Sequence, residues 1–528
     1  PLSLHDALPI SGNFTLGNVT GCSCTVTAGN LSITAGSTMT LTDKLTVTAG
    51  GTLTFENGAS LVQINNVTNT GNIIYKRNTT GMLRYDYTYW SSPVQPQTLF
   101  SLSPNTLSDK YFWWNTAIYN WNSVAAPGTT LMDPGRGYII RAPQTFNISG
   151  ATTIFNAQFS GVPNNGNYSV AITVSGANNL NLIGNPYPSA INADLFMAGN
   201  ATTLGTGSSI YLWTHNSPFA SNVYVANDYA VYNYTGGTGT RAAINPGINS
   251  SIPTGKIAAG QSFFIKGLVT GTALFTNAMR VSGNNTQFYR NNNDNELLTS
   301  PFSALEKNRV WLELKNNQGA YKQILVGYID QATNAFDDGF DGEVLEAGNS
   351  VSFYSVLDSK KLSIQGKALP FSETDQIPLG FHIEVPGIYE VALAQFDGLF
   401  DSQAVYLEDL ATQTTHDLRA SAYQFSAEAG TFDTRFVLRF QSALNTDVPV
   451  ITANDIVAYK VNGAIRIVSS KAVLKSVQIV DISGRVLASK SQLSANETEF
   501  SGLHFAQQTL LIQVTTQEGF VMTKKLLF

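Results

Sequence analysis

Charge is what this chain has least of. Only 12% of its 528 residues are Asp, Glu, Lys or Arg, about half the share of an average soluble protein. Solubility is therefore expected to rest on Asn, Thr, Ser and Gln, a surface that suits an extracellular protein better than a cytoplasmic one. No Lys/Arg block occurs and the net charge is -6, so neither nucleic acid nor an anionic membrane is an expected partner, since both call for a clustered basic face. Cysteine is nearly missing too: Cys22 and Cys24 are too few for a disulfide framework. Their i, i+2 spacing puts both on one strand face, where a bridge would be strained.

Several other signals are missing. No run reaches the roughly 18 apolar residues that cross a bilayer, so no membrane span is expected. The five histidines are scattered, with no His-x-x-x-His, no Gly-x-Ser-x-Gly and no Cys-His pairing, which leaves metal-hydrolase, serine-hydrolase and thiol chemistry without a signature. The Gly-rich stretches 205–209 and 235–240 lack the Lys and following helix of a phosphate loop. No window sustains a 3.6-residue apolar period. The chain starts without Met, and its opening "PLSLHDALPI" has neither a basic nor a long apolar region. Residues 1–12 are therefore expected to be a foreign or remnant segment, with the true N-terminus lost.

What is present reads as strand. The length exceeds the roughly 250 to 300 residues at which one core stops growing, so about three or four units are expected. Between 13 and 74, "LSITAGSTMTLTDK" (31–44) aligns with "LTVTAGGTLTFENG" (45–58), a 14-residue repeat matching Leu31 with Leu45 and Leu41 with Phe55. Its apolar residues alternate with Thr and Ser, the period of strands with one buried face. Stacked rungs of a β-solenoid, or a small meander, follow as the expected form. The outward threonines could face ice or crystalline polysaccharide, but Thr is also simply a favoured strand residue, and the stretch is read as a stalk.

The block 75–290 is aromatic: "YDYTYWSSPV" (85–94), "KYFWWNTAIYNWN" (110–122), "SIYLWTHN" (209–216), "VYVANDYAVYNY" (223–234) and "QSFFIKG" (261–267) each read as strands. Turn signals between them predict one or two antiparallel β-sandwiches. Tyr111, Trp113, Trp114, Tyr119 and Trp121 invite a polysaccharide-binding reading, because sugar C–H faces stack on exposed rings; alternation would also bury about half of them. Trp113, Trp114 and Trp121 are the candidate stacking residues. An Asn-rich linker (291–303) then leads to a further sandwich (304–442), with a hairpin-like turn at Pro386-Gly387. It holds one tight carboxylate cluster, Asp330, Asp337, Asp338, Asp341 and Glu343, hard oxygen donors of the kind Ca²⁺ prefers, although their spacing is not that of an EF-hand loop.

After a connector (443–453), residues 454–528 read as six or seven short strands, enough for a small sandwich. The whole chain is thus expected to be all-β: solenoid-like repeats, then antiparallel sandwiches, then this C-terminal unit. Val480-Asp481-Ile482-Ser483-Gly484-Arg485-Val486-Leu487, then Leu503, Leu510-Leu511-Ile512-Gln513-Val514, Gly519 and Lys524-Lys525-Leu526-Leu527 resemble the C-terminal sorting domain of the type IX secretion system of the Bacteroidota. The Leu-Leu-Ile-Gln-Val strand stands where the commoner subtype has Gly-x-Tyr, and is similar to the subtype found on a secreted chitinase of that group. The resemblance implies a signal peptide, which the opening residues do not show, a departure that reads as truncation. It implies passage through the periplasm, recognition by the type IX machinery, and release or attachment at the outer cell surface. Asp481, Gly484, Arg485, Gly519, Lys524 and Lys525 are the sorting residues it carries over.

Two functions fit these readings. The favoured one is a secreted or cell-surface, non-enzymatic β protein for adhesion or for binding surface or environmental polysaccharide. The other is a secreted glycan-active hydrolase, or an accessory fragment of one, which requires two carboxylates facing each other across a groove.

Overall fold

The computed structural model describes residues 7–206, 208–214, 228–240, 252–285, 305–345, 348–441, 453–517 and 519–528. The linker expected at 291–303, and most of the one at 443–453, lie outside them. The described chain is all-β with a few short helical turns and divides into two compact units. The first takes in the described residues from 7 to 306 together with Ile329–Gly342; the second holds those of Lys307–Tyr328 and Glu343–Phe528.

The first unit opens as a β-solenoid. Ser23–Ile33 and Leu45–Phe55 pair in parallel, and Val19–Gly21, Thr38–Leu41 and Ser60–Gln63 form a second parallel sheet. Leu31 lies beside Leu53, Cys24 beside Leu45 and Val19 beside Met39, so one turn takes 20 to 22 residues. This corrects the 14-residue repeat, which set Leu31 against Leu45. Period-2 alternation survives any even shift, so it fixes which face is buried but not which strands are neighbours. The inward row of Val26, Leu31, Ile33, Leu41, Leu53 and Phe55 is fully or almost fully buried, each side chain contributing about 1.5–3 kcal/mol. Asparagines staple one turn to the next: Asn18, Asn57 and Asn69 accept the backbone N–H groups of Thr38, Asn78 and Leu45, each at 2.8 Å. These amides tie the frame together, from exposed Asn18 to buried Asn69.

Ala7–Ser11 extends the solenoid by pairing in parallel with Ser23–Ile33, so residues 7–11 of the segment expected to be foreign are part of the fold. At the other end Ile73–Met82 runs parallel to Leu45–Phe55 and antiparallel to Thr153–Pro163. The boundary expected between 74 and 75 thus falls inside a strand, and one core continues from the solenoid to Phe159 and Ala259. On this base sit two antiparallel sheets. One orders Asn120–Ser123, Tyr111–Asn115, Tyr138–Arg141 and Tyr87–Trp90; the other orders Leu180–Gly184, Ser262–Lys266, Ile210–Trp213, Tyr229–Tyr232 and Gly237–Thr238.

In the second unit the strands between Lys307 and Arg439 form one largely antiparallel sheet. Its edge strands, Thr414–Asp417 and Tyr423–Ala427, curl toward each other. Tyr423 Oη donates to Asp409 Oδ2 at 2.9 Å across the gap, so the sheet is nearly a barrel. Its interior is packed with Phe353, Phe381, Phe425 and Phe436. Residues 456–527 form three-stranded and four-stranded sheets around a core of Ile456, Ile467, Val477, Ile479, Ile512 and Val514. This small module does not dangle from the barrel. Val457, Tyr459 and Val468 pack against Ile388, Ser426 Oγ donates to the Asn454 carbonyl at 2.7 Å, and Lys471 pairs with buried Asp455 while facing the Tyr423 ring.

Candidate functional site

The segment 111–123 folds as a hairpin whose turn explains its sequence. Asn115 Oδ1 accepts the Ala117 N–H at 3.2 Å and caps the single turn Thr116–Ile118. Tyr119 then takes the left-handed conformation at φ 52, which returns the chain so that Trp121 pairs directly across from Trp114. The two indoles meet edge to face, centroids 5.1 Å apart, and Tyr119 meets Trp114 at the same distance. Trp114 Nε1–H donates to the Leu180 carbonyl at 2.7 Å, and the Thr116 hydroxyl donates to the same oxygen at 2.8 Å. The hairpin is thereby clamped to the Leu180–Gly184 strand. Tyr119 remains 47% exposed at the tip, with Trp114 and Trp121 half-buried behind it.

The rings continue inward. Trp121 contacts Tyr89 and Phe264, each at 5.8 Å, and Tyr89 stacks on Trp213 with centroids 5.6 Å apart and planes 8° from parallel. The Tyr89 and Tyr229 hydroxyls share a hydrogen bond. Burial pushes both phenols well above their ordinary value, so each is a neutral hydroxyl at physiological pH. Beside the Tyr89–Trp213 stack opens a cleft of about 50 Å³ lined by Tyr87, Thr88, Thr214, Gln261, Ser262 and Asp86 among others. Asp86 is the only carboxylate among those lining residues, and its Oδ2 accepts the Leu83 N–H at 2.8 Å. Burial raises Tyr87 to about 12. Chemically this is an array of ring faces and edges with neutral hydroxyl and amide groups next to it.

The expected stacking residues separate into two sets. Trp114 and Trp121 join the cluster, whereas Trp113, one residue along the strand and so on its other face, lies under the Arg136 guanidinium at 4.4 Å. That correction follows from strand alternation, which sends neighbouring residues to opposite faces. Tyr111 is fully buried, its hydroxyl donating to the Ser103 carbonyl at 2.6 Å. Tyr89, Trp213 and Phe264 were not singled out; the i, i+2 row Tyr85, Tyr87, Tyr89 was the available signal.

The carboxylate loop is not gathered around a point. Asp337 Oδ2 accepts the Thr333 N–H at 2.6 Å and Asp341 Oδ2 accepts the Asp337 N–H at 2.7 Å, so these carboxylates hold the loop's own backbone. Glu343 pairs with Lys360 at 2.9 Å. Asp330 and Asp338 are exposed. Among the described residues no three His, Cys, Asp or Glu side chains converge to hold a metal ion. Asp330, Asp337, Asp338, Asp341 and Glu343 are thus not gathered as the Ca²⁺ site expected of them, and one oxygen each of Asp337, Asp341 and Glu343 is held by a backbone amide or a lysine.

In the C-terminal module Asp481 closes a hairpin. Its Oδ1 accepts the N–H groups of Ser483 and Arg485 and the Ser483 hydroxyl, while Oδ2 accepts Arg485 Nε at 3.1 Å. Those hydrogen bonds, the Ser483 hydroxyl first, hold the Asp481 carboxyl below its ordinary value. Gly484 at φ 84 and Gly519 at φ 85 supply left-handed turn positions. Lys524 and Lys525 lie on the strand Val521–Leu527, paired with Ile512 and Leu511. The turn tip presents Ile482, 78% exposed.

Comparisons with known proteins add a family and little more. No curated protein matches the sequence. Three solved structures show faint likeness. Tp47, the 47-kilodalton lipoprotein of Treponema pallidum, is 10% identical over 42% of this chain and 87% of its own, with a TM-score of 0.13. Dimeric latent PorU from Porphyromonas gingivalis is 12% identical over 42% of this chain and 29% of its own, at 0.14. The BSP domain of a biofilm associated protein is 10% identical over 86% and 95%, at 0.16. At such scores they carry no argument about this chain. Residues 444–528 match a second domain of unknown function, DUF8694. Residues 7–440 match the domain of unknown function DUF8693, and the chain belongs to that family.

Proposed function

We propose that this protein is an exported, non-enzymatic β protein that binds polysaccharide through the ring cluster of Trp114, Tyr119 and Trp121. The observation that carries the reading is the hairpin tip. A tyrosine is held outward in a left-handed turn against Trp114 at 5.1 Å, Trp114 in turn meets Trp121 at 5.1 Å, and hydrogen bonds clamp the hairpin to a neighbouring strand. Large rings kept rigid and partly exposed offer apolar contact area at little entropic cost. The neutral polar groups of the adjoining cleft supply the orienting hydrogen bonds such sites use. One carboxylate among the cleft's lining residues is short of the pair that glycoside hydrolysis requires, which favours binding over turnover.

Export belongs to the same proposal: residues 454–528 act as a type IX sorting domain, and the protein works outside the cell after passing through the periplasm. The support is the sequence resemblance together with a separate hydrophobic core for this module. Two measurements test the reading. Full-length protein incubated with a panel of insoluble polysaccharides should sediment with at least one of them and release no soluble sugar; reducing ends appearing over time would make it a hydrolase. Cells expressing the chain without residues 454–528 should retain it in the periplasm, and its appearance in the medium would overturn the export assignment.

A further inference from the structure

We infer that the ligand of the Trp114–Tyr119–Trp121 site is a neutral glycan, and not one bearing uronate or sulfate; the inference rests on the polysaccharide reading above. The two segments that build the lip are 111–130 and 167–184, and neither contains a single Asp, Glu, Lys, Arg or His. They are joined by Trp114 Nε1–H and the Thr116 hydroxyl on the Leu180 carbonyl, and by Asn178 Nδ2 on the Ala117 carbonyl at 3.3 Å. The polar atoms they present around the rings are amides and hydroxyls.

Among the described residues, the charged groups nearby do not supply a cation to the lip. Arg136 lies over Trp113 on the other face of the strand and pairs with Asp133. Lys266 lies two residues beyond Phe264, on the same face of its strand, and is already partnered. At the inner end Asp86 lines the cleft and Asp228 adds to the upward push on the Tyr89 and Tyr229 phenols, while Arg141, across the sheet from Tyr87, donates to Gln144 and lies over the Tyr85 ring. An anionic sugar brought against such rings would give up hydration with no cation among the described residues of the lip to meet it, on a protein whose net charge is already -6. A neutral sugar ring loses only hydroxyl hydration, which amides and hydroxyls restore, while its C–H face covers the indoles.

The test compares affinities of the full-length protein for soluble neutral β-glucan, polygalacturonate and a sulfated galactan, at about 20 and 500 mM NaCl. The expected result is binding to the neutral polymer alone, unchanged by salt because no charge pair is screened. Tyr119→Asn, which suits the left-handed position while removing the ring, and Trp121→Ala should each weaken it about tenfold. Tyr119 is at the surface, so its variant keeps the test valid if Trp121→Ala fails to fold. Binding to an anionic polymer that disappears at high salt, or with Lys266→Gln, would overturn the neutral-ligand inference and leave the polysaccharide reading standing. Binding to no polymer of this set or of a wider neutral panel would overturn both.

Discussion

The buried ion pair of the second unit makes a demanding prediction. Asp409 is fully buried and Arg435 nearly so, with side-chain exposures of 0% and 7%. Arg435 Nη2 and Nε approach Asp409 Oδ2 at 2.9 and 3.2 Å, Nε also reaches Oδ1 at 3.1 Å, and Nη1 donates to the Ser426 carbonyl at 2.9 Å. The guanidinium lies against Phe425 and Phe436, 4.7 and 5.1 Å from their ring centroids. Arg435→Met leaves a carboxylate in the barrel wall with only the Tyr423 hydroxyl and the Ala411 N–H to hold it. Breaking a buried pair from one side costs about 3–5 kcal/mol, whereas replacing both partners by apolar residues is often neutral. For a unit of this size that corresponds to a fall of roughly 6–20 °C in midpoint. Asp409→Leu combined with Arg435→Met should recover most of it, less what the Ser426 and Tyr423 hydrogen bonds contributed. The assay is thermal unfolding of full-length protein labelled with 5-fluorotryptophan and followed by ¹⁹F NMR. Trp311 is the only tryptophan of the second unit, and Trp90, Trp113, Trp114, Trp121 and Trp213 belong to the first, so each unit reports separately. A single-variant loss below about 1 kcal/mol, or a double variant worse than Arg435→Met, would refute the reasoning.

Three further outcomes follow. Gly71 has φ 81, and a Cβ there would stand 1.8 Å from the Val47 carbonyl oxygen; Gly71→Ala should cost the first unit about 1–3 kcal/mol or more, seen in the Trp90 resonance while Trp311 is unmoved. The Asp481 carboxyl is depressed in the folded hairpin, so its contribution is full above the ordinary aspartate value and is lost as pH falls through the depressed one. An NMR titration should show the Ser483 and Arg485 amides shifting only in that acid range, and a midpoint at or above the ordinary value would contradict the turn geometry. Burial raises the Cys24 thiol to about 11, and the Asp43 carboxylate with its hydrogen bond raises Cys22. Neither should be alkylated by iodoacetamide at pH 8 as fast as free cysteine, a rate comparison that mass spectrometry can make.

The alternation of Thr with Leu, Ile and Val showed which face of the solenoid is inside, because a buried face imposes a period of two whatever its partners are. It could not show the 20-to-22-residue turn, since that length is set by the corners where Asn57 and Asn69 reach a neighbouring turn, and such asparagines look like any surface amide in sequence. The aromatic block was legible as strands. Which of its rings share a face depended on one residue of register, which places Trp114 with Trp121 and sends Trp113 to Arg136. The carboxylate loop misled for a related reason: Asp337 and Asp341 are spaced to close turns on their own amides, and oxygen donors four residues apart serve a backbone as readily as a cation. In the C-terminal module Asp481, Gly484 and Arg485 share a single turn, so their spacing marks a hairpin.

The most direct test of the ring cluster as a polysaccharide site uses the same fluorotryptophan label. Titration of the full-length protein with a neutral oligosaccharide should shift the Trp114 and Trp121 resonances saturably while leaving Trp90 and Trp311 in place, and Tyr119→Asn should weaken the response. Resonances that stay fixed across a panel of neutral and anionic oligosaccharides, or shifts confined to Trp311, would contradict the account.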